Sequence, residues 1–271
     1  LEKVVRWRDV TNYAAAVGET RRCHMDDTSP GGLVAPPAFP VALTWPLLAG
    51  LGERLGETLP RGVLERLVHA GEHLVLHRPV RPGDLVAMSG RVAALLPSRA
   101  GARMVLRVDG LAGDDPLFTE HVTVLFRGVA CPEEGVTSGD VPEVAAVWPQ
   151  NALRWEAAVE VGREVPFLYD GCTGIVFPIH TSVAFARAAG LPDLLVQGTW
   201  TLARAVRELV DREAGGDPSR LREVGCRFTG MVVPPTRVAI QAASPDATGA
   251  LPFRVLDERG ATSLEGFARI A

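Results

Sequence analysis

The chain has 271 residues, 28 Lys+Arg against 32 Asp+Glu, a formal net charge of -4 and 47% hydrophobic residues. Such a chain can bury a full core, which excludes global disorder, and its length suits one large domain or two of ~100–150 residues. The acidic balance excludes nonspecific binding to nucleic acid, which needs a basic surface, but leaves room for a local basic pocket for an anion.

The opening LEKVVRWRDV has no apolar h-region, and no apolar run of about 18 residues occurs, so a cytoplasmic protein without membrane or nucleic-acid partners is expected. Tyr13 begins YAAAVGETRRCHMDD, which carries Gly18 and His24. A helix is predicted from about Ala38 to Leu55. His69, His73 and His77 would share a face of one helix. Gly71 and the β-branched residues beyond it instead indicate a strand, on which only His73 and His77 share a face. No carboxylate or Cys is expected to complete a ligand set, and neither a metal nor a cofactor is assigned. PVRPGDLVAMSG reads as strand, Pro-Gly turn and strand, and RMVLRVDGLA and FTEHVTVLFRGVA alternate as strands do.

CPEEGVTSGDVPEVAAV, residues 131–147, has linker composition. Beyond it, YDGCTGIVFPIHTSV starts at Tyr169, and a helix is predicted over Thr199–Asp211 with Leu202, Ala205, Val206, Leu209 and Val210 as its apolar stripe. CRFTGMVVPPTRVAIQAA and PFRVLDERGATSLEGFARIA are β-rich. Cys23, Cys131, Cys172 and Cys226 form no CxxC pair, so no zinc ribbon, redox pair or disulfide framework is expected.

The two halves echo each other. Pro82 and Pro234 mark matching turns 152 residues apart, and the Gly18–His24 and Gly174–His180 spacings match at an offset of 156. Two echoes in register indicate a duplicated unit of ~150 residues. The expected organisation is residues 1–130, a linker over 131–150, and residues 151–271. Antiparallel strands with one long helix per unit give an α+β architecture in which a curved sheet wraps the helix.

No P-loop, GxGxxG, GxSxG or HExxH occurs, which removes most support for phosphoryl transfer, nicotinamide binding and serine hydrolysis. His180 follows a glycine-containing loop, and Gly198 opens the second long helix eighteen residues later. The first N–H groups of a helix have no intrahelical partner and favour negative charge. A thioester carbonyl at Gly198 N–H would be polarised, and His180 could shuttle a proton beside it. The competing reading of His180 is a core imidazole that pins a loop.

YDGCTGIVFPIHTSVAFARAAGLPDLLVQGTWTLA, with GGLVAPPAF and RPVRPGDLV, resembles the MaoC-like (R)-specific enoyl-thioester hydratases and dehydratases in their fused form. The resemblance implies a double hot-dog fold, two fused units each with an antiparallel sheet around a central helix. It implies reversible syn hydration of a trans-2-enoyl thioester, or dehydration of an (R)-3-hydroxyacyl thioester. The implied substrates are carried on CoA or acyl-carrier protein, without a metal; a homodimer is compatible with it.

The family loop reads Gly-Asp-x-Asn-Pro-x-His. Gly174, Pro178 and His180 match it, while Ile175 stands for the acid and Phe177 for the Asn. Gly198 matches the glycine whose N–H meets the thioester oxygen, and Gln197 stands where a His usually precedes it. In the first half Gly18, Glu19 and His24 match Gly, Asp and His, Arg21 and Arg22 replace Asn and Pro, and Pro36, which has no N–H, falls at the Gly198 position.

Neither half is a complete copy, and three arrangements remain open. One site lies in the second half, with His180, Gly198 and an acid from elsewhere: Glu19, His24 or the nearer Asp170. Alternatively Glu19 and His24 act with another N–H, or hydration activity is lost and the chain is a catalytically silent subunit that binds acyl thioesters or supports a partner, or it performs a different reaction on a related substrate. Tyr169, Ile175, Phe177, Gln197 and Trp200 are the candidate substrate-binding residues, each with a packing reading beside it. Arg21 and Arg22 are either phosphate ligands or solvated side chains.

Overall fold

Alternation of apolar and polar residues produces long antiparallel strands, and the helix-period segments lie against the face those strands bury. The structure, a computed structural model, describes residues 1–55, 62–139, 141–144, 148–149 and 152–271. The first half contains β1 (Glu2–Val4), α1 (Trp7–Ala16), α2 (Arg22–Met25), α3 (Pro40–Ala49), α4 (Leu51–Leu55), β2 (Leu67–Leu76), β3 (Leu85–Ser98), β4 (Gly101–Ala112) and β5 (Asp115–Arg127). After the short β6 (Val136–Thr137) come β7 (Leu153–Val161), α5 (Val165–Thr173), α6 (Pro178–Thr181), α7 (Val183–Ala188), α8 (Gly198–Glu213), β8 (Leu221–Phe228), β9 (Thr236–Ala243), β10 (Leu251–Leu256) and β11 (Thr262–Ile270).

The strands form one antiparallel sheet in the order β1-β3-β4-β5-β2-β8-β11-β10-β9-β7, with β6 beside β3. Numbered within its own half, each set of five strands has the order 1-3-4-5-2. The halves meet where β2 pairs with β8, and His73 lies opposite Gly225 in that pairing. These residues are 152 apart, the offset of the Pro82 and Pro234 turns, so the local two-fold relation passes through this pair. This is the double hot-dog architecture. Among the described residues no helix is long and apolar enough to cross a membrane.

The predicted second helix extends slightly beyond its expected ends, and its whole stripe is buried, from Leu202 at 1% to Leu209 and Val210 at 0% exposure. The first differs from expectation. It starts at Pro40 and is interrupted at Gly50, separating α3 from α4. Pro46, inside α3, has no N–H for the helical ladder, and Gly50 caps the segment. The predicted linker includes β6, which pairs Val136 and Thr137 with Leu95 and Ala94. Residues 140, 145–147, 150 and 151 lie outside the described residues, and the predicted boundary at 150/151 falls among them.

Among the buried polar residues, two carboxyls lie where the halves join. Glu72 on β2 and Glu120 on β5 are 1% and 0% exposed, and none of their carboxyl oxygens has an aligned hydrogen-bond donor. Leu74 pairs with Glu120 and Glu72 with Val122, so the two acids are diagonal neighbours on one face. Tyr13 of α1, Thr44 of α3, Tyr169 of α5 and Cys226 of β8 surround them. Burial pushes Glu72 up to about 8 and Glu120 well above the usual carboxylate range.

Leu209→Ala should cost about 2–5 kcal/mol in denaturant unfolding, because it leaves a cavity beneath α8. The carboxyl pair makes stability fall with rising pH. The folded state keeps protons that the unfolded chain releases near pH 4.5, so this stabilisation is complete below that point and is lost as pH rises toward 8. Thermal unfolding between pH 5 and 8.5 should show a falling Tm, and Glu72→Gln should flatten the slope.

Candidate functional site

Each half builds the same loop from the same backbone bonds. α1 ends at Gly18 and α5 at Gly174, with φ of 67° and 71°, a left-handed conformation that glycine adopts without strain. His24 N–H donates to Arg21 O at 3.0 Å and His180 N–H to Phe177 O at 3.1 Å. Each ring then reaches the segment leading into its half's next helix. His24 Nδ1 lies 2.6 Å from Val34 O, and His180 Nδ1 lies 2.8 Å from Leu195 O. A carbonyl only accepts, so each Nδ1 carries the proton and each neutral ring presents Nε2 as a lone pair.

These bonds also set the register of the two halves. Ala35 N–H donates to Val80 O and Val196 N–H to Val232 O, both at 2.9 Å. Val34 therefore corresponds to Leu195, Pro36 to Gln197, and Pro37, rather than the expected Pro36, to Gly198. Five additional residues between His180 and Leu195 caused the misalignment. The chemical consequence is unchanged, because neither proline has an N–H.

Around the shared skeleton the halves differ. In the second, Gly198 is the first residue of α8, and its N-cap Gln197 provides no side-chain cap. The His180 ring is bonded to the carbonyl three residues before Gly198, so imidazole and amide lie within ~10 Å of chain. His180 is half-buried, and desolvation lowers its pKa, which keeps it neutral at pH 7. A Cβ on Gly198 would lie 2.9 Å from the Phe228 ring, so only glycine admits that ring against the helix start. Three buried polar atoms nearby lack hydrogen-bond partners: Tyr169 Oη, Gln197 Oε1 and Thr199 Oγ1.

In the first half, His24 is 0% exposed and its Nε2 lies 3.9 Å from Glu19 Oε2. Arg21 clamps Glu19: its Nε donates at 3.0 Å, its terminal nitrogen makes a second contact, and Thr20 N–H adds a 3.0 Å bond. Despite its burial, Glu19 has a lowered pKa because Arg21 favours the carboxylate. Two small open pockets flank Pro36 and Pro37, and one of them also touches Glu19 and Arg207. Glu19 and His24 are thus brought together with each other; their ring and carboxylate contacts do not include His180 or Gly198.

The other predicted residues are placed as follows. Tyr169 is fully buried, its ring 6.1 Å from that of Tyr13. Ile175, at the expected acid position, is 4% exposed and part of the core. Phe177 is 43% exposed, its ring 6.4 Å from His180. The Gln197 amide donates to Pro166 O and the Trp200 indole to Ala16 O, both at 3.0 Å, which ties the start of α8 to the first turn of α5 and the end of α1. Asp170 is half-buried with Oδ2 unpartnered, and desolvation raises its pKa. Arg21 is held by Glu19 and Asp211, and Arg22 by Asp26 at 2.7 Å, so both guanidiniums already have carboxylate partners.

The histidine series requires correction. His69 and His73 lie on β2 and His77 immediately after it, and β2 has a register shift between His69 and Gly71. This bulge places His69 and Glu72, three apart, on the same inner face, which a regular strand would not do. His69 Nε2 is 3.0 Å from Glu72 Oε2, while its hydrogen is directed to Gly71 O at 3.1 Å. Carboxylates therefore do stand beside His69, although among the described residues no group of three ligand-type side chains has a metal-holding arrangement. His73 and His77 turn to the other face, toward Glu223 and Thr119. The bulge is not encoded in residue alternation, and this is why sequence reading missed the His69–Glu72–Glu120 cluster.

Comparison with known proteins agrees with this architecture. Residues 1–114 match the family described as FAS1-like, dehydratase domain region, and residues 146–249 match the MaoC like domain. The fatty acid synthase beta subunit pkiC of Emericella nidulans is 38% identical over 97 residues, 34% of this chain and 5% of that protein. The enoyl-CoA hydratase ChsH3 of Mycobacterium tuberculosis is 24% identical over 172 residues, 63% of this chain and 58% of that one. The chain thus spans a small part of the synthase subunit and less than two thirds of the hydratase. A MaoC-like dehydratase from Phytophthora capsici has the same fold, with a TM-score of 0.86 at 18% identity, covering 100% of this chain and 94% of that one. The chain thus has the double hot-dog fold, with a match to a MaoC like domain in its second half and to a FAS1-like dehydratase region in its first.

Proposed function

We propose that the chain is a hydro-lyase of acyl thioesters, adding water syn to a trans-2-enoyl thioester or removing it from an (R)-3-hydroxyacyl thioester, at a site in its second half. The observation that carries this reading is the pairing of a half-buried imidazole, His180, with the helix-opening amide of Gly198 on adjoining backbone. His180 Nε2 is the proton acceptor for the added water, and Gly198 N–H stabilises the charge that develops on the thioester oxygen. The first half supports the choice by contrast: its imidazole is fully buried, its acid is clamped by Arg21, and both prolines lack an N–H. Similarity to the enoyl-CoA hydratase ChsH3 and to a fatty acid synthase beta subunit supports a thioester substrate, on CoA or on a carrier protein.

A catalytically silent thioester-binding subunit is the second reading. The observation favouring it is the burial of Ile175 where the family loop has an acid.

Crotonyl-CoA hydration separates the two. His180→Ala should lower kcat by about 10²–10⁴-fold with Tm nearly unchanged, and Glu19→Gln should leave turnover intact. Because burial lowers the His180 pKa, the acid limb of kcat/KM should fall below the ordinary histidine value of about 6.5. A wild-type chain that binds enoyl-CoAs without turnover would establish the silent subunit instead, and loss of activity in Glu19→Gln would move the site to the first half.

A further inference from the structure

We infer that Trp45, carried on α3 of the first half, walls the second-half site and sets the length of acyl chain it accepts, restricting it to short enoyl groups. The inference rests on the reading above and deepens it, because it narrows the substrate class and assigns the site a residue from the opposite half.

Three observations support it. The first is that the first-half loop lies against the second-half helix. The Trp200 indole donates to Ala16 O at 3.0 Å, and Arg204 Nη1 donates to Val17 O at 3.2 Å. The two-fold relation of the halves sets the second-half loop against α3 in the same way.

The second is what that contact encloses. One of the small pockets beside Pro37 is bounded by Val17 and Glu19 from the loop and by Ala203, Val206 and Arg207 from α8. Glu19 stands at the acid position of the loop, and Pro37 at the position of Gly198. Both positions that would handle a thioester therefore border one pocket, and its other wall is the helix of the opposite half.

The third is the lining of the counterpart. The loop offset of 156 takes Val17 to Thr173 and Glu19 to Ile175. The offset of 161 between Pro37 and Gly198 continues into the helices, because Phe39 N–H donates to Pro36 O at 2.9 Å as Trp200 N–H donates to Gln197 O at 3.0 Å. It takes Ala203 to Ala42, Val206 to Trp45 and Arg207 to Pro46. An indole thus stands where the first-half pocket has an isopropyl group, and a proline where it has a guanidinium.

The orientation of α3 agrees. Thr44 and Leu47 turn to the sheet, toward Glu120 and Gly90. At helical spacing Ala42 and Trp45 then lie on the side away from the sheet. Trp45 is half-buried and packs on the core cluster that contains Ile175. Ile175, Ala42, Trp45 and Pro46 carry no charge, so this wall suits hydrocarbon and not the phosphates of CoA. The chain beyond Cβ runs toward it, and the indole limits how far.

The test is steady-state hydration of crotonyl-, 2-hexenoyl- and 2-octenoyl-CoA by the wild type and by Trp45→Val, which installs the residue that α8 has at the equivalent place. The wild-type kcat/KM should fall from crotonyl- to 2-octenoyl-CoA. In Trp45→Val the ratio of octenoyl to crotonyl kcat/KM should rise by about tenfold or more, the gain from making room for roughly two methylenes. A merely structural role does not move this ratio, because both substrates meet the same folded enzyme. If Trp45→Val does not fold, Trp45→Phe carries the test, with a smaller shift in the same direction. A ratio unchanged within about twofold, or a wild type that already prefers 2-octenoyl-CoA, overturns this inference alone. A wild type inactive on all three enoyl-CoAs overturns the parent reading and this inference with it.

Discussion

The hydrogen bond from His180 Nδ1 to Leu195 O is the constraint on which the rest of the site depends. It closes the glycine-capped loop onto the segment that becomes α8. It also fixes the tautomer, because a donated Nδ1 proton leaves Nε2 as the basic nitrogen. Its net contribution to stability is ordinary, about 0.5–1.5 kcal/mol. Its importance is geometric: base and helix-opening amide are held on a few residues of contiguous backbone, so the site needs no long-range adjustment to assemble.

The same bond in the first half, His24 to Val34 O, shows that it belongs to the repeated scaffold. The halves differ in what surrounds it. Pro36–Pro37 replaces Gln197–Gly198 and removes the amide. Arg21 neutralises Glu19, and burial seals His24. In the proposed reading, duplication left one half free to lose donor and access while keeping the fold. That half still supplies β2, which brings His69 and two carboxyls to the junction with β8.

Much of this was legible in sequence because it follows from local chemistry. Alternation gave the strands, the stripe from Leu202 to Val210 gave α8, and matched Gly–His spacings gave the duplication. The missed features depend on geometry between elements. The Pro36 alignment failed because five residues are inserted after His180, and only the carbonyl partners of the two imidazoles reveal it. The long first helix failed because Pro46 and Gly50 divide it. His69 and Glu72, three residues apart, would face opposite ways on a regular strand and share a face only through the bulge, and Glu120 is a neighbour only through strand pairing. Arg21, open to a phosphate-ligand or a solvated reading in the sequence, is instead paired, and its two carboxylate partners lie at positions 19 and 211.

The central claim is that the amide at position 198 does chemical work that a proline cannot. Comparing crotonyl-CoA hydration by Gly198→Ala and Gly198→Pro tests it most directly. Both variants place a Cβ against Phe228, so they share that steric cost. Proline is accepted at the first position of a helix, and Gln197, with φ of -60° and ψ of 132°, already has the backbone that a residue before proline prefers. The account predicts that Gly198→Pro turns over about 10²–10³-fold more slowly than Gly198→Ala. Equal rates in the two folded variants would contradict it.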